Sequence, residues 1–64
     1  MIVNSKRVRE GYYYVTIEHK GKKRTYIMER FMRVWGIQRF DGLFNAYFKT
    51  KKDAMKYFDM MVLE

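Results

Sequence analysis

Residues 11–28, GYYYVTIEHKGKKRTYIM, contain two segments rich in aromatic and β-branched residues, joined by a turn of basic side chains. The hydroxyl, ammonium and guanidinium groups of such residues bind phosphate oxygens and the edges of bases. The whole chain carries 14 basic and 7 acidic residues among 64, which gives a formal net charge of +7. This chemistry indicates recognition of a polyanion, and nucleic acid is the first partner to consider.

Two β-strands joined by a charged turn would position these side chains. Apolar and polar residues alternate over residues 12–19, and Val15 and Ile17 fall on the face expected to pack in the core. A turn around Gly21, which can adopt a positive φ, leads to a shorter strand over residues 24–28. The opposite, open face is predicted to carry Tyr12, Tyr14, Thr16, Arg24 and Tyr26, with Arg7 and Arg9 added if the first segment pairs as an edge strand.

The hydrophobic period changes near residue 28. The apolar residues at i, i+3, i+4 and i+7 are Met28, Phe31, Met32 and Trp35. This spacing predicts a short helix over residues 28–35, and a continuing strand is the alternative. Further along, Asp41-Gly42 is a preferred pair for a two-residue hairpin turn, and it predicts a strand over residues 43–49.

A C-terminal helix is the clearest element. Thr50 and Asp53 match a capping box in outline, because the Thr hydroxyl can accept a hydrogen bond from the amide three residues on. Apolar residues then repeat at helical spacing from Ala54 to Leu63. We therefore predict an α+β fold in which an antiparallel sheet of three to four strands has this helix packed on one face.

The composition favours a single small basic domain, residues 1–64, because the chain has no Pro and no Gly-rich linker. With no Cys and only His19, we expect no metal site, no cofactor and no enzymatic activity. The first ten residues lack the apolar core of a signal peptide, and no stretch approaches the length of a membrane span. We therefore expect a soluble cytoplasmic protein without a membrane partner.

Residues 48–61, FKTKKDAMKYFDMM, resemble the strand-to-helix junction of the ethylene-response-factor type DNA-binding domain. The matching positions are Phe48, Thr50, Asp53, Ala54, Phe58 and Asp59. The same junction, together with Gly11, Tyr12 and the basic turn at residues 21–24, is similar to the arm-type N-terminal DNA-binding domain of phage and transposon tyrosine recombinases. The start of the helix, residues 51–54, also resembles the last helix of double-stranded-RNA-binding domains.

The first two resemblances imply a sheet that enters the major groove of double-stranded DNA, with the helix behind it. They also imply a small regulatory or accessory protein of a phage or mobile element, acting in the cytoplasm of a host cell. The nucleic-acid-binding residues predicted from the open face, the charged turn and the start of the helix are Arg7, Arg9, Tyr12, Tyr14, Thr16, Lys20, Lys22, Lys23, Arg24, Tyr26, Lys49 and Lys51.

Two other functions remain open at this point. A protein-interaction module, such as a phage inhibitor of a host protein, would use an exposed cluster of Phe31, Met32, Trp35 and Phe40. A binder of double-stranded RNA is the nearer alternative. The sequence leaves the target site and the oligomeric state open, since an exposed edge strand could also support dimerisation.

Overall fold

The computed structural model describes residues 1–42 and 44–63, and these form a five-stranded antiparallel sheet followed by a helix. The elements are β1 (Ile2–Arg9), β2 (Tyr12–His19), β3 (Lys22–Phe31), β4 (Val34–Arg39), β5 (Asn45–Phe48) and α1 (Lys51–Met60). The strands lie side by side in chain order, so each pairs with the strand before it. The predicted α+β class and C-terminal helix are confirmed, but the sheet has five strands and not three or four.

The additional strands replace the helix predicted over residues 28–35, and that prediction is wrong. β3 continues through Phe31, the chain turns at Met32 and Arg33, and β4 returns beside it. The turn shifts the alternation of inward and outward residues, so Met28 and Trp35 share one face of the sheet although they lie on different strands. Because Met28 and Trp35 are seven residues apart and face the same side, their spacing matches that of a helix although they lie on two strands.

Two-residue turns set the register of the hairpins. Between β2 and β3, Lys20 and Gly21 both have positive φ, of 52° and 79°, as in a type I′ turn. Between β3 and β4, Met32 has a φ of 59°. This left-handed conformation costs a residue with a Cβ about 1 kcal/mol, whereas glycine adopts it freely.

The connection between β4 and β5 is longer than the two-residue turn predicted at Asp41-Gly42. The Arg39 amide donates to the Phe44 carbonyl at 3.3 Å, and the Gly42 amide donates to the Arg39 carbonyl at 3.0 Å. The chain therefore reverses direction between Arg39 and Phe44. The strand was predicted to begin at Leu43, which lies outside the described residues, and β5 itself ends one residue earlier than predicted, at Phe48.

The predicted cap of α1 is confirmed. The Thr50 hydroxyl accepts a hydrogen bond from the Asp53 amide at 3.1 Å. The helix ends at Met60, whereas its apolar spacing predicted an end near Leu63. Met61 and Leu63 are nevertheless buried, because the extended chain after α1 continues across the core. There, the Leu63 amide donates to His19 Nδ1 at 3.3 Å.

The hydrophobic core lies between α1 and one face of the sheet. Its buried members are Val15, Ile17, Tyr26, Met28, Ile37, Ala54, Phe58, Met61 and Leu63. Phe58 of α1 reaches the centre of the sheet, where its ring centroid lies 5.9 Å from that of Tyr26. Among the described elements, none covers the other face of the sheet, and we call that surface the open face.

Candidate nucleic-acid interface

The strand register determines which side chains share the open face. Residues directly opposite one another on neighbouring strands point to the same side. One row crosses all five strands, and it contains Lys6, Tyr14, Ile27, Gln38 and Asn45. The next row contains Arg9, Tyr12, Glu29, Gly36 and Tyr47. The open face thus combines amide, aromatic, apolar, basic and acidic side chains.

Aromatic rings form a continuous group on this face. The Tyr12 and Tyr14 ring centroids lie 5.8 Å apart, and the Tyr14 and Phe40 centroids lie 5.6 Å apart. The Arg9 guanidinium lies 4.7 Å from the centre of the Tyr12 ring, a cation–π contact. Tyr12 and Tyr14 are half-buried and Phe40 is exposed. The accessible parts of such rings can stack on bases, and hydroxyls can bind phosphate oxygens.

Ion pairs balance part of the positive charge of the open face. Arg9 pairs with Glu29 at 3.3 Å, and Lys23 pairs with Glu18 at 3.9 Å. Exposed pairs of this kind contribute little stability, so a phosphate could replace either carboxylate at small cost. Among the described residues, no carboxylate lies within ion-pair distance of the Lys6 ammonium.

The structure places five of the predicted site residues on the open face. These are Arg9, Tyr12, Tyr14, Thr16 and Lys23. Thr16 lies opposite Thr25, and their hydroxyl oxygens are 2.8 Å apart. The predicted hairpin ribbon is therefore present, with its β2 side chains assigned to the expected face.

The prediction that Arg24 and Tyr26 share the open face is wrong. The type I′ turn places Tyr26 opposite Val15 and Arg24 opposite Ile17, so both point toward the helix. Tyr26 is only 3% exposed and belongs to the core. Thr25 and Ile27, the residues of the opposite parity, take their places on the open face.

Three further predicted site residues lie on the helix side or beside it. Arg7 pairs with Tyr13 in the register and points toward the helix side, although it is exposed. Lys51 begins α1, and its ammonium donates to the Tyr13 hydroxyl at 3.0 Å. Lys49 precedes α1 and is exposed. Arg7 and Lys51 lie apart from Tyr12 and Tyr14, because the sheet separates the two faces.

The hydrogen bond from Lys51 lowers the pKa of the Tyr13 hydroxyl below its ordinary value of 10.0. Desolvation opposes this effect, and the positive charges of Lys51 and Arg7 reinforce it. Both cations favour the phenolate over the neutral phenol. The Tyr13 hydroxyl thus lies in a local positive potential.

The remaining two predicted residues, Lys20 and Lys22, lie at the β2–β3 turn and are exposed. This turn is at the opposite end of the sheet from the β1–β2 and β3–β4 turns, as the antiparallel order requires. A phosphate bound by these lysines would therefore lie near one end of the open face.

The aromatic cluster considered for a protein partner is divided in the structure. Phe31 and Met32 are exposed at the β3–β4 turn, while Phe40 lies beyond the far end of β4. Trp35 is half-buried on the helix side, with its ring centroid 6.2 Å from that of Tyr13. The segment over residues 28–35 extends the sheet and leaves the open face uncovered.

Several side chains of the open face were not predicted from the sequence. They are Lys6, Thr25, Ile27, Gln38, Asn45 and Tyr47. The alternation of Thr25 and Ile27 was visible, but only the turn type could decide which parity faced the core. Gln38 and Asn45 could have been found by treating residues 34–48 as a second hairpin with the same alternation.

The described residues contain no group of three His, Asp or Glu side chains placed to hold a metal ion. Within that same part of the chain, no helix is long and apolar enough to span a membrane. His19 Nδ1 contacts the backbone of Leu63, so this histidine contributes to packing the C-terminal segment. The expectation that the chain is not an enzyme stays a prediction.

Comparisons with protein-family models, with curated proteins and with solved structures give no match.

Proposed function

We propose that this protein binds double-stranded DNA, and that the β1–β2 hairpin is the part that enters the major groove. The main support for the proposal is the exposure and positive charge of β1. This edge strand is exposed along seven of its eight residues, and its sequence IVNSKRVR contains three cations and no acid. Its basic side chains therefore lie along one edge of the sheet, where β2 is the single neighbouring strand.

The width of the sheet favours the hairpin over the whole open face. Five strands spaced about 4.8 Å apart span roughly 19 Å between β1 and β5. The major groove is about 12 Å wide and admits a two-stranded ribbon. Because β1 and β2 lie at one edge, they can enter the groove while the bodies of β3 to β5 stay outside it, and the β3–β4 turn lies at the same end of the sheet as the β1–β2 turn.

Specific side chains of the hairpin have chemistry suited to this role. Lys6 and Arg9 would bind phosphates or guanine edges, since both are exposed on the open face. Tyr12, Tyr14 and Thr16 would add hydrogen bonds and apolar contacts to thymine methyl groups. The resemblance of residues 48–61 to the junction of sheet-and-helix DNA-binding domains supports the same function, and with it a regulatory or accessory role in a phage or mobile element.

The aromatic group favours one second candidate, binding of a single strand across the open face. Tyr12, Tyr14 and Phe40 form a line of rings, and Tyr47 is exposed farther along the face. Bases of an unpaired strand stack on such platforms without needing a groove.

A titration with three ligands tests the proposal. Affinity is measured by fluorescence anisotropy for duplex DNA, duplex RNA and single-stranded DNA of equal length, at about 50 and 200 mM salt. We expect duplex DNA to bind most tightly and its affinity to fall steeply with salt. Tighter binding of the single strand would favour the second candidate, and equal binding of all three would contradict the proposal.

Charge variants locate the interface. Lys6→Ala and Lys23→Ala should each reduce the log–log salt slope by about 1, because each removes one phosphate contact. Lys56→Ala is the matched control, since Lys56 is exposed on α1 at the back of the sheet. If Lys56→Ala changes the slope as much as Lys6→Ala does, the open face is not the binding surface.

A further inference from the structure

The β3–β4 turn, residues 31–34, exposes two large apolar side chains. Phe31 is 67% exposed and Met32 is 84% exposed. Val34 lies opposite Phe31 across the strand pair and extends the same apolar surface. We call residues 31–34 the apolar tip.

The backbone of the apolar tip is strained for the residue that occupies it. Met32 has a positive φ of 59°, a conformation that glycine adopts at no steric cost. Lys20 shares this kind of backbone at the β2–β3 turn, but its ammonium is well suited to water. The Met32 side chain is apolar and almost fully exposed, so burial inside the protein does not compensate for the strain. An exposed apolar side chain on a strained backbone indicates that Met32 contacts another molecule.

Positive charges lie next to the apolar side chains of the tip. Arg30 precedes it and makes an exposed ion pair with Glu10 at 3.8 Å. Arg33 lies within the turn, and no carboxylate of the described residues is within ion-pair distance of it. The start of α1, which carries Lys51 and Lys52, is at the same end of the sheet. The tip is therefore an apolar wedge within a basic surface.

We propose that the apolar tip inserts between two base pairs of bound duplex DNA and bends the duplex, an inference that rests on the proposed function. Phe and Met are among the side chains that DNA-bending proteins insert between base steps. The apolar ring faces of the bases would receive Phe31 and Met32. The phosphates on either side would bind Arg30 and Arg33, and this charge complementarity favours DNA over an uncharged apolar partner.

The test measures bending and affinity separately. A duplex of about 25 base pairs, a length whose bending is costly but measurable, carries a donor and an acceptor dye at its two ends. Binding of the wild-type protein should raise energy transfer between the dyes. Met32→Gly should abolish most of this rise and weaken binding about tenfold. Its salt slope should stay unchanged, because no phosphate contact is removed.

The variants are chosen so that misfolding cannot imitate the expected result. Met32→Gly relieves the strained backbone, so the variant should be at least as stable as the wild type. Met60→Ala removes a comparably exposed methionine, 71% exposed, at the opposite end of the molecule. It should bind and bend the duplex as the wild type does.

The possible results distinguish failure of DNA binding from failure of insertion by the apolar tip. If the wild-type protein does not bind duplex DNA at either salt concentration, the proposed function fails and the wedge fails with it. If duplex DNA binds without a rise in energy transfer, and Met32→Gly binds equally well, the wedge is wrong while DNA binding stands. Vesicles of phosphatidylserine and phosphatidylcholine serve as a third ligand. Binding to them that Met32→Gly abolishes, with duplex binding unaffected, would assign the tip to a membrane surface and overturn the proposal.

Discussion

Tyr26 lies directly opposite Val15 across the β2–β3 ladder, and both side chains are buried beneath α1. This pairing follows from the two-residue turn at Lys20 and Gly21. A shift of one residue would exchange the two faces of β3, because side chains alternate along a strand. The pairing thus determines that Thr25 and Ile27, and not Arg24 and Tyr26, face outward beside Tyr14.

Replacement of Tyr26 should test this assignment. Tyr26→Ala is expected to lower the free energy of unfolding by about 3–4 kcal/mol, since it leaves a cavity against Phe58 in a small core. Tyr14→Ala, on the open face, should lower it by about 1 kcal/mol or less. Urea denaturation followed by circular dichroism measures both. Equal losses for the two variants would contradict the burial of Tyr26.

The N-cap of α1 can be tested on its own. Thr50→Ala removes the hydroxyl that accepts from the Asp53 amide and should lower the free energy of unfolding by about 1 kcal/mol. Thr50→Ser keeps an accepting hydroxyl and should stay close to the wild type. Denaturant titrations of the three proteins give the comparison, and a loss in the serine variant as large as in the alanine variant would rule out the cap.

Ionisation of Tyr13 should depend on Lys51. The hydrogen bond from Lys51 lowers the pKa of Tyr13 in the folded state below the ordinary value of 10.0. A lowered folded-state pKa stabilises the protein fully above the unfolded-state pKa, and this stabilisation disappears as the pH falls through the folded-state pKa. It is therefore absent at neutral pH and appears only as Tyr13 ionises.

Absorbance of the phenolate measures this ionisation. In Lys51→Met, the tyrosine that ionises first should titrate at higher pH than in the wild type, while Lys52→Met should leave it unchanged. Tyr13→Phe should remove the early transition altogether. An early transition that persists in Tyr13→Phe would assign it to another tyrosine.

Met32→Gly should raise the free energy of unfolding by about 1 kcal/mol, because glycine accommodates the positive φ of the β3–β4 turn. Met32→Ala keeps a Cβ at the same backbone position and should not stabilise the protein. Thermal unfolding of the two variants gives the difference. A Met32→Gly protein that is less stable than Met32→Ala would mean that the turn is not strained at this residue.

Neutralising Glu29 should strengthen DNA binding. Glu29 lies on the open face and pairs with Arg9 at 3.3 Å, so Glu29→Gln removes a negative charge and frees a guanidinium for phosphate. We expect tighter duplex binding and a steeper salt dependence by anisotropy. Asp53→Asn is the control, because Asp53 is exposed on α1 away from this face. Weaker binding by Glu29→Gln would contradict a role for the open face.

The sequence by itself determined the elements whose signals are local. The alternation over residues 12–19 and the Thr50 cap each depend on neighbouring residues, so β2 and the start of α1 were predicted correctly. The basic character of the edge strand β1 was also visible from composition alone.

The features that depend on strand pairing were decided only by the tertiary structure. Strand register decides which side of the sheet Tyr26 faces and separates Trp35 from Phe31. It also gives a hairpin in place of a helix over residues 28–35. Register depends on turn geometry and on burial against Phe58, which are contacts between distant residues that periodicity does not encode. The basic, aromatic hairpin is therefore a feature of the sequence, whereas the surface that it presents is a consequence of the fold.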